Sequence, residues 1–445
     1  MPISTFLGVQ TALRGILAQQ RALDVTSHNI ANANTVGFSR REAVLSPSEP
    51  FTTVNGQLGT GVDVEGYRRI RDNFLDVQLR AQTMRSGFYR ARQDGLDQIE
   101  GSVREPSDSG LGALLGRYWS SWQDVVNAPE NIATRQTLAQ NAAALADGFQ
   151  TLSSQLQTVA SQANTNIGLT IDEVNSVSTR VAALNGSIIL ARSAGSEPSD
   201  LLDERDVLLD RLNELGNTTT SEAADGSATV QIGGFTTVSG IAATSISALS
   251  DLTSLTSGKL AGLKDLRDVT VPGYVTDLDA LAGALITATN TQHALGYDLA
   301  GTFGTAFFTG TTAADIAVSA GIVADPSLIA AAGAAGAPGD STNALALAGL
   351  RRTALVSGAT VDTAYSQLIT RLGSDAQETR RQSANTKALA DSLEGRRQSV
   401  SGVSLDEEMT NLIRYQRGFQ ASARALTAMD EMIDLLINRT GRVGM

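Results

Sequence analysis

The segment SHNIANANTVGFSRRE, residues 27–42, contains three asparagines within six residues and then a phenylalanine close to two arginines. Asparagine and glycine tolerate left-handed backbone, and asparagine side chains bond to neighbouring backbone groups. The residues before this segment have the spacing of an amphipathic helix. We therefore expect a helix to end here, with Asn32, Asn34 and Gly37 supplying left-handed backbone, and the chain to continue in extended form.

The first thirty residues carry apolar side chains three or four positions apart, which is typical of one face of a helix. These residues are Phe6, Val9, Leu13, Ile16, Leu23 and Ile30. Gln20 and Ser27 occupy polar steps of the same face, which favours packing against several neighbours over packing into one deep core. An ordinary amphipathic surface helix is the alternative interpretation of this spacing taken alone.

The end of the chain has the same character as its beginning. In SLDEEMTNLIRYQRGF, residues 404–419, Ser404 is followed three residues later by Glu407, the pattern of a helix-capping box. Acidic residues fill the first turn, which suits the dipole of a helix that begins there. The apolar face of this predicted helix contains Leu405, Met409, Leu412, Phe419, Leu426, Ile433 and Ile437.

Most of the chain between these ends has helical periodicity. Two helices are expected within residues 71–128, divided at REPSDSG (104–110), whose serines or aspartate would cap the second helix. Trp119 and Trp122 share one face of that helix, and we expect them in a core. A long apolar seam follows through residues 131–192, and an unbroken helix of that length indicates a bundle or rod.

The predicted β structure is confined to two regions. Residues 38–70 have the pattern of an extended segment and a hairpin. The composition changes at Asn217, because residues 217–350 contain 11 acidic and 3 basic residues, a difference of −8 out of a net charge of −12. We expect a solvated outer domain there, partly β, with a helix near 274–293 that packs on the helical part of the chain.

The composition excludes several classes of function. A net charge of −12 argues against general nucleic-acid binding, because phosphate neutralisation requires a basic surface. The absence of cysteine excludes disulfides and thiolate chemistry, and His28 and His293 lie too far apart in sequence to indicate a histidine metal site. No apolar run approaches the length of a membrane span, and no secretory signal peptide is apparent.

Two acidic clusters at predicted helix starts are the remaining candidates for chemistry. They are LLDERD (201–206) and LDEE (405–408). Carboxylates hold metal ions or perform acid–base catalysis, but no histidine accompanies either cluster, and negative charge is stabilising at a helix N-terminus. We interpret both clusters as helix-dipole and solvation features, and we expect no catalytic residues, no metal site and no cofactor.

The two ends of the chain together resemble the bacterial flagellar axial family, which comprises rod, hook and hook-associated proteins. LDVTSHNIANANTVGFSRRE (23–42) is similar to the N-terminal motif of this family, and DEEMTNLIRYQRGFQASARALTAMDEMIDLLIN (406–438) is similar to its C-terminal helix. GFSRRE, SGVSLDEE and the central SDLLDERDVLLDRLNELG resemble the hook-associated members. The resemblance covers nearly the whole chain.

The resemblance implies a mainly α fold with coiled-coil-like terminal helices, a long helical bundle or rod and a smaller β-containing outer domain. Residues 1–36 and 400–445 would pair as an inner domain that lines a channel. Residues 37–216 and 345–399 would form the helical rod domain, and residues 217–344 the outer domain. The expected joint between domains consists of Asn29, Asn32, Asn34, Gly37 and Phe38. The expected assembly interface consists of Leu13, Ile16, Leu23, Ile30, Leu405, Leu412, Phe419, Leu426 and Ile433.

The resemblance also implies a function, that of a structural adaptor that forms a ring between the flagellar hook and filament and is no enzyme. Its expected partners are further copies of itself, the hook protein, the next hook-associated junction protein and a cytoplasmic export chaperone bound to the C-terminal helix, without nucleic acid or membrane insertion. It would lie outside the cell, exported by the flagellar type III apparatus without a cleaved signal. A hook or distal-rod protein is the nearer alternative, and an extracellular enzyme on a flagellar scaffold is the more distant one.

Overall fold

The computed structural model describes residues 6–53, 56–103, 105 and 107–439 of the 445-residue chain. Its helices are α1 (Leu7–Ala31), α2 (Asn73–Val103), α3 (Leu111–Asn127), α4 (Ile132–Ser193), α5 (Ser199–Leu215), α6 (Gly258–Asp265), α7 (Val271–His293), α8 (Ala320–Ala324), α9 (Thr342–Gly349), α10 (Val361–Ser401) and α11 (Leu405–Asp434). Its strands are β1 (Arg41–Pro47), β2 (Phe51–Thr53), β3 (Gly56–Leu58), β4 (Val62–Arg69), β5 (Thr218–Glu222), β6 (Ala228–Ile232), β7 (Phe235–Ser239), β8 (Ala242–Ala243), β9 (Phe308–Thr309) and β10 (Ala317–Val318). The mainly α fold predicted from the sequence is confirmed.

Packing divides the described chain into two compact units. Unit 1 lies within residues 1–84, 173–254 and 387–445, and unit 2 lies within residues 85–172 and 255–386. The long helices α2, α4 and α10 contribute residues to both units. The domain division expected from the sequence refers to layers of an assembled tube, so it stays a prediction.

Unit 1 combines both ends of the chain with short antiparallel strands. β1 pairs with β4, and a bulge between Val44 and Leu45 shifts their register. β5 to β8 form a four-stranded sheet in chain order. Ala228, Val230 and Ile232 of β6 are buried while the residues between them are not, as expected for a strand with one face on a core.

Unit 2 has an aromatic core. Tyr118, Trp119 and Trp122 of α3 are buried, which confirms the core position predicted for the two tryptophans. The rings of Trp122 and Phe307 have centroids 5.4 Å apart, and the Tyr118 hydroxyl is 3.2 Å from the Thr289 hydroxyl of α7. Helices α4, α7, α9 and α10 supply the surrounding apolar side chains.

One helical run of unit 2, Gly258–His293, is long and apolar enough to cross a membrane by length and composition alone. From the sequence alone, no apolar run that approaches this length is expected. Leu278, Leu281 and Leu285 of this run are buried in the core of unit 2. A core helix can have the same length and composition as a membrane span, and packing within unit 2 accounts for the apolar character of this run.

The N-terminus of α3 differs from the sequence prediction. Gly110 occupies the N-cap position, and no side chain there caps the helix. The Glu105 carboxylate instead accepts hydrogen bonds from the Gly112 amide (3.0 Å) and from the Tyr365 hydroxyl of α10 (2.9 Å). The prediction that a serine or aspartate of REPSDSG caps this helix was therefore wrong, because α10 holds a more distant carboxylate over the helix start.

His293 is a fully buried residue of unit 2 whose two ring nitrogens both bind backbone groups. Its Nδ1 lies 2.6 Å from the Thr305 carbonyl, and its Nε2 accepts a hydrogen bond from the Ala330 amide (2.8 Å). This arrangement fits the neutral imidazole, which has one donor and one acceptor. Burial lowers the pKa of His293 to about 4, although the hydrogen bond to Thr305 opposes the decrease.

We expect the stability of unit 2 to decrease as the pH falls from about 6.5 to about 4. The unfolded chain binds a proton at His293 with a pKa of about 6.5, whereas the folded chain binds it only near pH 4. The unfolded state therefore holds more protons in this window, and the contribution of His293, on the order of 3 kcal/mol, is full above pH 6.5 and lost toward pH 4.

Denaturant unfolding of the wild type and of His293→Gln at pH 7 and pH 5 measures this effect. The variant lacks the titrating group, so its free energy of unfolding should change less between the two pH values. An equal change in both proteins would show that His293 does not carry the pH dependence.

Candidate assembly interface and joint

The two terminal helices, α1 and α11, pack side by side in unit 1 and run antiparallel. The facing positions fall in a single register: Gly8 with Met429, Gly15 with Ser422, Gln19 with Gly418 and Asn29 with Glu408. A Cβ atom on Gly15 would lie 2.9 Å from the Ser422 hydroxyl oxygen. Glycine at these positions lets the two helix backbones approach more closely than any larger residue would allow.

Small residues also fill the buried side of α1. The buried residues of this helix are Ala12, Ala18, Ala22, Thr26 and Asn29. The large apolar residues of the predicted assembly interface lie elsewhere: Leu13 is 47% exposed and Leu405 is 53% exposed. Half-buried positions are taken by Ile16, Leu23, Ile30, Leu412, Phe419, Leu426 and Ile433. The nine residues stay predicted contacts between subunits.

The joint residue Asn29 ties the end of α1 to the start of β1. Its side-chain amide donates hydrogen bonds to the Arg41 carbonyl (2.9 Å) and to Glu408 Oε2 (3.1 Å). Its carbonyl oxygen accepts one from the Arg41 amide (3.0 Å). Because Asn29 is buried, these bonds satisfy backbone groups that water does not reach.

Arg40 lies between Phe38 and the first residue of β1, and it connects three further elements. Its amide donates to the Ser401 carbonyl at the end of α10 (2.8 Å), and its carbonyl accepts from the Ile70 amide after β4 (2.8 Å). Its guanidinium binds the Glu408 carboxylate (2.8 Å), which is only 2% exposed, and the Glu407 carboxylate (2.6 Å). Arg40 therefore holds the ends of α10 and β4 to the first turn of α11.

The remaining predicted joint residues have unequal roles. Asn32 ends α1 with a side-chain hydrogen bond to the His28 carbonyl (3.0 Å), while Asn34 is exposed. Gly37 has φ +80°, and a Cβ atom there would lie 2.1 Å from a Val207 methyl group. The prediction of left-handed backbone is confirmed at Gly37 and wrong at Asn32 and Asn34. At Asn32 the side-chain hydrogen bond ends the helix without left-handed backbone.

Phe38 is the fifth residue of the predicted joint and the only aromatic one of the five. The ring of Phe38 meets the edge of the His28 ring with centroids 5.5 Å apart, and the Arg41 guanidinium lies 5.1 Å above its centre. His28 also accepts a hydrogen bond from Arg41 at Nε2 (3.0 Å). His28 is thus a hydrogen-bonding group near the end of α1.

A row of four aspartates along α5 forms ion pairs with five arginines, all within unit 1. The ion pairs are Asp200 with Arg41; Asp203 with Arg41 and Arg69; Asp206 with Arg69, Arg71 and Arg80; and Asp210 with Arg80 and Arg397. The hydrogen bond from Arg41 lowers the pKa of Asp200 below its usual range. Burial would lower the pKa of Arg71, but Asp206 and Asp76 raise it above its usual value.

This row corrects the interpretation of LLDERD as a solvated cluster. Asp203 is buried, and Asp206 is nearly so. In such a site the removal of one charge leaves its partners uncompensated, at a cost of about 3–5 kcal/mol. The described residues contain no group of three or more His, Cys, Asp or Glu side chains that could hold a metal ion. The aspartates bind arginines, which join α5 to β1, β4, α2 and α10.

Sequence reasoning missed Arg40, Glu408 and the arginine partners of α5. The spacing of Asp203, Asp206 and Asp210 places them on one face of a helix, and this was the available signal. Their partners come from four other elements distant in sequence, which no local pattern reveals.

Paired terminal helices, a polar joint and a long helical body are the organisation of an axial subunit of the bacterial flagellum. Three family models match the chain in agreement with this class. The flagella basal body rod protein matches residues 10–38, the flagellar hook-associated protein FlgK helical domain matches residues 96–253 and 249–308, and the flagellar basal body rod FlgEFG protein C-terminal matches residues 396–439.

Full-length relatives narrow the class to one family. The flagellar hook-associated protein 1 of Bacillus subtilis (strain 168) is 32% identical over 503 aligned positions, which cover 98% of this chain and 99% of the relative. That of Escherichia coli (strain K12) is 26% identical, with 97% and 99% covered. The chain belongs to the flagellar hook-associated protein 1 family.

A solved structure has the same fold over much of the chain. The flagellar hook junction protein FlgK from Burkholderia pseudomallei superposes with a TM-score of 0.67 at 17% identity. The match covers 73% of this chain and all of the other.

Replacement of Asn29 by alanine should destabilise unit 1. It leaves both backbone groups of Arg41 without their partner, and an unsatisfied buried group costs about 1–3 kcal/mol. Asn34→Ala is the matched control, since the exposed Asn34 should change stability by less than about 0.5 kcal/mol. Denaturant unfolding and hydrogen exchange at the Arg41 amide measure both variants, and equal effects would mean that Asn29 does not hold the joint.

Proposed function

We propose that this protein is the structural adaptor at the junction between the hook and the filament of the bacterial flagellum. The alignment over nearly the full length of relatives named flagellar hook-associated protein 1 carries this proposal. The paired terminal helices support it, because a tubular assembly requires subunits whose ends pack against neighbours.

The nearer alternative, a hook or distal-rod protein, is disfavoured by where the family models match. The two basal-body models match only the ends of the chain, within residues 10–38 and 396–439. The middle, from residue 96 to residue 308, matches the helical domain of the hook-associated protein. The GFSRRE segment favours the same choice. A family of structural proteins also favours a protein without catalytic activity over an enzyme on a flagellar scaffold.

The role of adaptor requires several partners. Copies of the chain would form a ring through the terminal helices, with residues 1–36 and 400–445 innermost, 37–216 and 345–399 around them, and 217–344 outermost. The hook protein and the next hook-associated junction protein would contact the two faces of this ring. The protein would lie outside the cell, exported without a cleaved signal, and a cytoplasmic chaperone would hold α11 before export. We infer no nucleic-acid partner and no membrane insertion.

A deletion strain should produce hooks without filaments and should release flagellin into the medium. Hook and filament are tubes with different subunit packing, so flagellin would find no matching surface on a bare hook. Electron microscopy of hook–basal bodies and immunoblots of the medium measure the two outcomes, with a complemented strain as the control. Normal filaments on the deletion strain would refute the adaptor function.

The double replacement Leu412→Asp and Phe419→Asp should block both chaperone capture and incorporation into hooks. Both side chains are half-buried on α11, and burial of an unpaired carboxylate at a new contact costs several kcal/mol or forces its protonation. Ala421→Asp with Ala428→Asp is a matched control, because both alanines are exposed on the same helix and lie on the side opposite to Leu412 and Phe419.

Chaperone pull-down and immunoblots of isolated hooks separate the two effects. The control should behave as the wild type in both measurements. Capture of the Leu412/Phe419 variant at wild-type strength would refute the chaperone contact, and its presence on hooks would refute the ring contact.

A further inference from the structure

An open cleft of about 1370 Å³ lies within unit 1, beside α1. Its lining includes Leu17 and Arg21 on the outer side of α1, Tyr67 of β4 and Val77 of α2. Leu17 is 50% exposed and Val77 is 65% exposed. Charged side chains of both signs, such as Arg68 and Asp63, line much of the rest of the cleft, so the apolar surface that it offers to a partner is the patch of Leu17, Tyr67 and Val77.

The α1 side of the cleft belongs to a stripe that faces away from α11. Leu13, Leu17 and Arg21 are four residues apart, so they follow one line along the helix. Leu17 lies two positions from both Gly15 and Gln19, which face α11, and is therefore about 160° away from that contact. Arg21 has no hydrogen bond or ion pair with any residue that the structure describes.

A second stripe of the same kind lies at the beginning of α11. Leu405, Met409 and Ile413 are also four residues apart, and Met409 is 59% exposed. Met409 is nine positions before Gly418, and Ile413 is nine positions before Ser422. Both therefore lie on the side of α11 opposite to its contact with α1.

The flank of this second stripe is acidic. Asp406 is exposed in the first turn of α11, and its carboxylate forms no ion pair with the described part of the chain. The second stripe thus offers apolar side chains to the patch of Leu17, Tyr67 and Val77, and a charge opposite to that of Arg21.

The two stripes lie on opposite sides of one helix pair, so they do not cover each other within a chain. Surfaces that differ and lie on opposite sides generate a head-to-tail contact, which closes into a ring or continues as a helix. In the register of α1 and α11, Met409 lies at the level of His28. Because His28 is eleven residues from Leu17, the two stripes are offset by about 16 Å along the axis of α1.

We propose that the cleft of one copy receives the first turns of α11 from the next copy. Leu405 and Met409 would pack between Leu17 and Val77, and Asp406 would pair with Arg21. The offset of the two stripes makes each copy step along the tube axis relative to its neighbour. This inference rests on the proposed function, since it specifies the contact between copies in the proposed ring.

Disulfide cross-linking tests the contact directly, because the chain contains no cysteine. The variant Leu17→Cys/Met409→Cys, produced in cells and oxidised on isolated hooks with filaments, should form covalent multimers. A bond within one chain is impossible, since a disulfide requires Cα atoms less than about 7 Å apart. The matched control is Leu17→Cys/Met432→Cys, which places the second cysteine at an exposed apolar residue near the other end of α11 and should remain monomeric under denaturing electrophoresis.

Charge exchange provides a second measurement that does not depend on oxidation. Arg21→Asp and Asp406→Arg should each reduce the fraction of hooks that carry filaments, and the combination of both should restore it. If the cysteine variant assembles but gives no multimers, the contact is wrong. If the cysteine variant fails to assemble, the charge exchange tests the contact. The contact is then wrong if the combined variant gives no larger fraction of hooks with filaments than the more impaired of the two single variants.

These outcomes are separable from a failure of the proposed function. Filaments on a strain that lacks the protein would refute the adaptor role. Filaments that require the protein, together with unlinked chains in the cysteine variant and no restoration by charge exchange, would refute only this contact.

Discussion

A carboxylate as deeply buried as that of Glu408 requires partners, and the organisation of unit 1 follows from where those partners come from. Arg40 reaches it from the start of β1, and Asn29 reaches it from the last turns of α1. The same two residues bind backbone groups of Arg41, Ser401 and Ile70. The end of α1 and the residue before β1 therefore meet at one charge, and the backbone of Arg40 connects the ends of α10 and β4 to the same place. None of these segments can move away without leaving a buried polar group unsatisfied.

The close pairing of α1 with α11 explains why several large apolar residues of the terminal helices, among them Leu17 and Met409, are exposed. Glycine and alanine occupy the contact, so the two helices are held by backbone proximity and need few large side chains between them. Leucine, isoleucine and methionine are left on the outer sides. Exposed apolar stripes are a liability for a monomer and an advantage for a subunit whose neighbours cover them.

Charge has a similar structural use in α5. Its aspartates serve neither catalysis nor a metal among the described residues, and each of them binds arginines from other elements. Most of these arginines contact more than one aspartate, so the row links β4, α2 and α10 through shared partners. Such a network is strong only when complete, because each uncompensated charge in a partly buried site is costly.

The sequence by itself determined most of the helices, the end of α1, the tryptophan core and the family resemblance, because periodicity, capping and motifs are local properties of the chain. It singled out Asn29 and Gly37 for the predicted joint but not the contacts that require them: Asn29 binds Arg41 and Glu408, and Gly37 lies against Val207. Only the tertiary structure decided which charges pair, which carboxylate covers the start of α3, and which apolar residues remain exposed. Each of these depends on contacts between segments far apart in sequence. The interaction energy of such contacts is set by the distance between the groups in space, which no local sequence pattern reveals.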